Sequence, residues 1–198
     1  PAAPKPHRLW SPSVQGDGVQ RAILFDLDGT LLHLTRGYGE ILADTFQSVE
    51  GESRDEWLEA YDEAFFEAFT ACEPEPARSA FATVSDQPDA LATTLLELEA
   101  ETNRVPEGAH EDLAALSERY QLGVLTNGMP EWQQEKLRAN DLERYFDVVV
   151  TSYEAGAHKP DPAPFAAAEA ALGAEEFGMV GDADADVDGA EQQGWAAV

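Results

Sequence analysis

The chain of 198 residues holds a single cysteine, Cys72. That excludes an intrachain disulfide and a cysteine-built metal cluster, and it leaves Cys72 as a small buried or half-exposed residue. Only three lysines occur, Lys5, Lys136 and Lys159, and Lys and Arg together number 12 against 39 Asp and Glu. No basic patch exists to neutralise the phosphates of a nucleic acid, so that class of partner is excluded. Also missing is an apolar run near the roughly 18 to 20 residues that span a bilayer. No charged-then-apolar segment opens the chain, and a cytoplasmic protein without membrane contact is expected. The first residue is Pro1, and the last strand signal, Trp195 to Val198, reads as cut short. Both are expected of a processed or partial sequence.

What is present suffices for a fold. Hydrophobic residues make up 43% and aromatics 9%, enough for one good core or a core with a small accessory domain. The formal net charge is −27. Disorder is one source of such acidity, but the aliphatic and aromatic content argues against it. Adaptation to high salt is the better account. Molar salt shortens the Debye length to about 3 Å, so carboxylates on a crowded surface no longer repel strongly.

The chain is organised around Phe25-Asp26-Leu27-Asp28-Gly29-Thr30. Ala22 to Phe25 is a short bounded apolar run, as suits a buried parallel strand. Asp26 and Asp28 follow on alternate residues, which in an extended chain point the same way. Two acids so close need a cation or a proton between them, so the spacing predicts a metal or a shifted pKa. Taken alone, Asp-Gly is a turn signal, and the motif needs partners before it means catalysis.

Residues 1–18 carry four prolines and no apolar period, and are expected to be a flexible tail. Tyr38 to Val49 form one helical stripe that stops at Gly51. Ser53 to Glu56 reads as a capping box for a second helix through Phe69, which Pro74 and Pro76 close. A third helix starts near Pro88 and carries Leu91, Leu95, Leu96 and Leu98. With no strand signal from 34 to about 103, this stretch is expected to be an inserted helical module. From Pro106 helix and strand alternate. Helices are expected over 109–119, from Pro130 to about Asn140, and over 164–172. Strands are expected over 122–125, 146–150, 177–180 and from 195. The pattern predicts an α/β fold, a doubly wound parallel sheet with an inserted α-helical cap. The domain boundaries are 19–33 with 104–198 for the core and 34–103 for the cap.

Four stretches then share one placement, at or just after the C-terminal end of an expected strand: Asp26/Asp28, Thr126-Asn127, Lys159 and Asp182/Asp186. Such ends converge in a doubly wound sheet. A carboxylate nucleophile, a second carboxylate for proton transfer, a hydroxyl and a lysine for an oxyanion, and acids for a hard cation make a phosphoryl-transfer site. An all-oxygen set with few carboxylates suits Mg²⁺.

The four motifs resemble those of the haloacid dehalogenase superfamily, in the branch with a helical cap after the first motif. Here they stand as Asp26-Leu27-Asp28-Gly29-Thr30, Thr126-Asn127-Gly128, Lys159-Pro160-Asp161-Pro162 and Gly181-Asp182-Ala183-Asp184-Ala185-Asp186. The resemblance covers about residues 20–198 and implies a Rossmann-like core. It makes Asp26 the nucleophile and a Mg²⁺ ligand. Asp28 becomes the acid/base, with its carbonyl on Mg²⁺. Thr126 and the Asn127 amide hold phosphoryl oxygens, and Lys159 balances charge. Asp182 and Asp186 are the remaining metal ligands. The branch more often leaves four residues between the fourth-motif acids. Val187 occupies that position, so Asp186 takes the role, with Asp184 as its substitute. Gln133, Lys136 and Leu137 after the second motif are similar to nucleotidase-like and sugar-phosphate phosphatase members.

Asp28 favours a phosphatase for small phosphorylated metabolites. An alkoxide leaving group needs general-acid help, worth roughly 10²–10⁴-fold, whereas halide leaves without a proton. A dehalogenase, a phosphoacceptor signalling module and a binding protein on the same kind of fold are the alternatives. In signalling modules the paired acids come early, the phosphorylated aspartate lies on a later strand, and no helical insertion follows the first strand. His33 just follows the first motif, and bordering the site is the lesser of its two readings. His158 is expected to be a loop-packing residue, and Asp161 turn chemistry.

Overall fold

A computed structural model describes residues 18–198. The tail expected over 1–18, with Trp10, lies outside the described residues except for Gly18.

The apolar run forms β1 (Arg21–Phe25). It is the middle strand of a five-stranded sheet, flanked on one side by β4 (Gln121–Thr126) and β5 (Val148–Thr151) and on the other by β6 (Glu176–Val180) and β7 (Ala196–Ala197). All neighbours run parallel. The helices of the second half are α5 (Ala109–Ser117), α6 (Pro130–Ala139), α7 (Ser152–Ala155), α8 (Pro162–Leu172) and α9 (Asp184–Gln192).

A strand buried on both sides sends alternate residues to opposite faces. Ala22 and Leu24 pack with Phe165, Ala168, Met179, Ala190 and Trp195, under α8 and α9. Ile23 and Phe25 pack with Leu113, Val124 and Leu137, under α5 and α6. Helices therefore cover both faces, and the doubly wound parallel sheet follows. The register sets Phe25 beside Val124 and Val180, which brings the ends of β1, β4 and β6 to one edge.

Between β1 and β4 the chain leaves the sheet. A two-residue antiparallel pair, β2 (His33–Leu34) with β3 (Asn103–Arg104), joins its exit to its return. Four helices lie between: α1 (Tyr38–Glu50), α2 (Asp55–Thr70), α3 (Pro76–Phe81) and α4 (Pro88–Thr102). They carry their own apolar cluster of Ile41, Leu42, Phe46, Tyr61, Phe81, Leu91 and Leu95. Tyr61 and Phe81 ring centres stand 4.2 Å apart, and Phe46 meets Phe81 edge-on at 5.4 Å.

Three local expectations are corrected. No strand was expected over 34–103, but the pair at its ends is two residues per strand, too short for a period to register. The capping box at Ser53–Glu56 does not form. Arg54 is the N-cap of α2 and accepts no side-chain bond, while Asp55 and Glu56 in the first turn complement the helix dipole. Pro76 does not close α2, which ends at Thr70; it opens α3 as a first-turn proline. Among the described residues no helix is long and apolar enough to cross a membrane.

Candidate active site

Asp26 follows the last residue of β1, and its N–H still donates to Val180 O at 2.9 Å. The sheet therefore holds its backbone, and the residue is 7% exposed. Asp182 follows β6 by two residues, and Asp186 lies in the first turn of α9. Each of these three acids offers an oxygen within 4.8 Å of the others. Asp184 is outside the group. Asp186 faces inward because its side chain accepts from Ala183 N–H at 3.2 Å, which closes the start of α9. The three-residue gap is the one that delivers an acid to the cluster.

Two glycines permit this approach. Gly29 has a φ of +96°, and a Cβ there would lie 2.6 Å from Asp182. At Gly181 a Cβ would lie 2.4 Å from Asp186. Thr30 Oγ1 also donates to Asp182 at 3.1 Å.

Lys159 enters from the loop after α7. Its Nζ reaches Asp26 Oδ1 at 2.7 Å, Asp186 Oδ1 at 2.6 Å and Leu125 O at 2.6 Å. Asn127 fixes that loop: it accepts from Lys159 N–H at 2.8 Å and donates to Lys159 O at 3.3 Å. Burial pushes the Asp26 carboxyl up to about 6, Lys159 pulls the other way, and Asp186 adds to the rise. The sequence set a cation against a shifted pKa for the Asp26/Asp28 pair; Asp26 has the raised pKa, but the acids beside it are Asp182 and Asp186 rather than Asp28. Three hard oxygen donors around one point, two of them brought in against glycine, fit a small divalent cation.

Asp28 does not join this cluster. Its carboxylate receives Gln133 Nε2 at 2.8 Å and Lys136 Nζ at 3.0 Å. The chain turns after Leu27, with Leu31 and Leu32 N–H both bonded to Leu27 O. An extended run that would point Asp26 and Asp28 alike therefore ends there. Thr126, buried at the end of β4, accepts from the same Gln133 amide at 2.7 Å.

Gln133 and Lys136 sit three residues apart on the inner face of α6 and are both buried. Lys136 also meets Glu99 of α4 at 3.1 Å. Burial works against its charge, but Glu99 and Asp28 together hold its pKa above the ordinary value. Gln133 and Lys136 were legible through the family resemblance. Glu99 was not, because nothing local marks a buried acid on a helix whose other faces are also acidic.

Two histidines and one further acid were singled out in the sequence. His33 lines the cleft beside Asp28. His158 stacks on Phe69 at 4.6 Å and bonds Phe69 O at 2.7 Å, a packing role. Asp161 caps α8 by accepting from Ala163 N–H at 2.9 Å.

The sheet topology and its acid-lined edge put the protein among α/β enzymes that work at strand ends. Within that class it belongs to the haloacid dehalogenase-like hydrolases, a family that matches residues 20–194. It is 30% identical over 177 residues to the pyrophosphatase PpaX of Halalkalibacterium halodurans, covering 87% of this chain and 79% of that one. The HAD phosphatase of Thermococcus onnurineus, 28% identical, superposes with a TM-score of 0.63 over 90% of this chain and 85% of that one. The 2-haloacid dehalogenase of Pseudomonas syringae pv. Tomato DC3000 superposes with a TM-score of 0.68 at 24% identity, over 90% and 85% of the two chains. That last likeness is one of fold alone.

Proposed function

We propose that the protein is a Mg²⁺-dependent phosphomonoester hydrolase acting on a small phosphorylated metabolite through an aspartyl-phosphate. The observation that carries this reading is Asp28. It is a second carboxylate two residues beyond Asp26, and it lines the cleft, where a leaving group has to pass. The relatives called a pyrophosphatase and a phosphatase support phosphate chemistry.

In the first step an Asp26 carboxylate oxygen attacks phosphorus and the bond to the leaving oxygen breaks. That oxygen takes the proton of the Asp28 carboxyl. In the second step Asp28, now a carboxylate, takes a proton from water as the water oxygen attacks phosphorus. The bond to Asp26 breaks and inorganic phosphate departs, with Asp28 protonated again. Thr126 Oγ1 and the Asn127 N–H hold phosphoryl oxygens. Lys159 keeps Asp26 and Asp186 from repelling each other and the incoming phosphate. Asp26, Asp182 and Asp186, with the Asp28 carbonyl, would hold Mg²⁺, which when bound supplies positive charge to the phosphoryl oxygens.

Residues 34–103 act as a cap that covers the cleft, and 19–33 with 104–198 form the catalytic domain. The acidic composition suits a cytoplasm of high salt.

The test is phosphate release from p-nitrophenyl phosphate and a broad ester panel in molar KCl, with and without Mg²⁺. Turnover that requires Mg²⁺ and disappears in Asp26→Asn is expected. Chloride release from 2-chloropropionate without any phosphate release would instead establish the dehalogenase alternative.

A further inference from the structure

The cleft of about 460 Å³ beside Asp28 has walls from both halves of the molecule. Tyr38, Phe65 and Phe69 line it from the inserted helices, and Leu32, Met129 and Trp132 from the sheet side. Its size is that of a small-molecule pocket, far larger than a lone phosphate needs. Because Asp28, Asn127 and Gly128 also line it, it is where the alcohol part of an ester lies when its phosphorus faces Asp26.

Its charge is the informative feature. Lys136 is the one ammonium or guanidinium group among the described residues that line it. That ammonium is already paired with Asp28 at 3.0 Å and Glu99 at 3.1 Å. With Asp28 protonated, as the first step requires, Glu99 alone offsets Lys136, and no spare positive charge remains. No arginine among the described residues lines the cleft. Arg104 donates to the carbonyls of Glu101 and Asn103, and Arg36 pairs with Asp44 and Glu40. A second phosphate or a carboxylate on the substrate would enter a partly desolvated pocket with no unpaired ammonium or guanidinium to receive it, which is costly. Flat and apolar surface would find aromatic walls.

We infer that the cleft selects phosphate esters whose leaving group is uncharged and carries a flat or apolar body, and discriminates against leaving groups bearing a phosphate or carboxylate. This rests on the phosphatase reading. It separates the chain's specificity from what the name of its pyrophosphatase relative says of that protein.

The test compares esters that differ by one charge: benzyl phosphate against 4-carboxybenzyl phosphate, and methyl phosphate against pyrophosphate. The neutral member of each pair is expected to have a kcat/KM at least about tenfold higher, the equivalent of about 1.4 kcal/mol. Glu99→Gln frees charge on Lys136 and should narrow both ratios several-fold. Trp132→Ala should lower the preference for benzyl over methyl phosphate by a similar factor. A preference for pyrophosphate or the carboxylated ester would overturn the inference and leave the phosphatase reading standing. So would Glu99→Gln ratios equal to those of the unaltered protein. Absence of turnover on every ester would overturn the phosphatase reading, and this inference with it.

Discussion

Gly181 and Asp186 are in contact with no room between them: a Cβ on Gly181 would stand 2.4 Å from the Asp186 side chain. Asp186 has nowhere to go. It is 2% exposed, and its two oxygens hold Lys159 Nζ and Ala183 N–H. Gly181→Ala should therefore push the acid out of the cluster. Overpacking of this kind costs about 1–3 kcal/mol, and displaced support for a ligand weakens metal affinity about 10–100-fold. Urea denaturation and calorimetric titration with Mg²⁺ read the two effects. Wild-type Mg²⁺ affinity in a folded Gly181→Ala protein would show that Asp186 is not needed as a ligand.

The raised Asp26 pKa sets a pH dependence. Its carboxyl titrates near 6 in the fold and near 3.9 in an unfolded chain. A raised folded value means the protonated form is favoured by folding. That contribution is fully present below the unfolded pKa and is lost as pH rises through about 6. Asn mimics the protonated acid. In chelator, Asp26→Asn should therefore gain stability over wild type as pH rises from 4 to 7, by about 2 kcal/mol. Mg²⁺ should reverse the order at pH 7, since only the wild type presents the carboxylate. Denaturation midpoints at several pH values, with and without Mg²⁺, check both signs; a gap that does not change with pH would mean Asp26 is ionised throughout.

The division of labour between the two first-motif acids is tested through the leaving group. Asp28→Asn should lower kcat on alkyl phosphates by about 10²–10⁴-fold, the range of general acid–base catalysis. p-Nitrophenolate leaves without a proton, so p-nitrophenyl phosphate should suffer much less in the first step. Lys136→Met, which removes a donor that holds Asp28, should give the same ordering with smaller losses. Because the second step is common to both ester types, the comparison is read in kcat/KM, which reports the first step; equal losses there would show that Asp28 acts on binding or on the metal rather than on the departing oxygen.

The parallel sheet was legible because its three central strands, β1, β4 and β6, are short apolar runs ending in a polar signature, and they are mostly buried as that pattern requires. The edge where Asp26, Lys159, Asp182 and Asp186 meet was legible for the same reason: strand ends converge by topology. What escaped the sequence depends on contacts between elements. Pro76 has one chemistry but two meanings, closing a helix or opening one, and packing of Phe81 into the insertion's core favours the second. The turn at Leu27 that separates Asp28 from Asp26 has no local marker beyond Gly29. The Lys136–Glu99 pair joins residues on two helices with no shared motif, so only the fold reveals it.

The net charge of −27 leads to a prediction about salt. Of the 12 basic residues, several are already tied to carboxylates: Arg36 to Asp44, Arg78 to Asp89, Arg138 to Glu135, Lys136 and Lys159 in the site. With 39 Asp and Glu against 12 Lys and Arg, most acids have no basic residue to pair with. At 0.1 M salt the Debye length is about 10 Å, long enough for neighbouring carboxylates to repel, and at 1 M it is about 3 Å. The unfolded chain spreads its charges and is less affected, so folding is opposed most at low salt. The melting temperature should rise steeply between 0.1 and 2 M KCl and rise equally in NaCl. Sucrose at matched osmotic strength separates screening from general exclusion, because it stabilises compact states without screening charge. A rise in sucrose as large as that in KCl would mean that screening of the acidic surface is not what salt supplies.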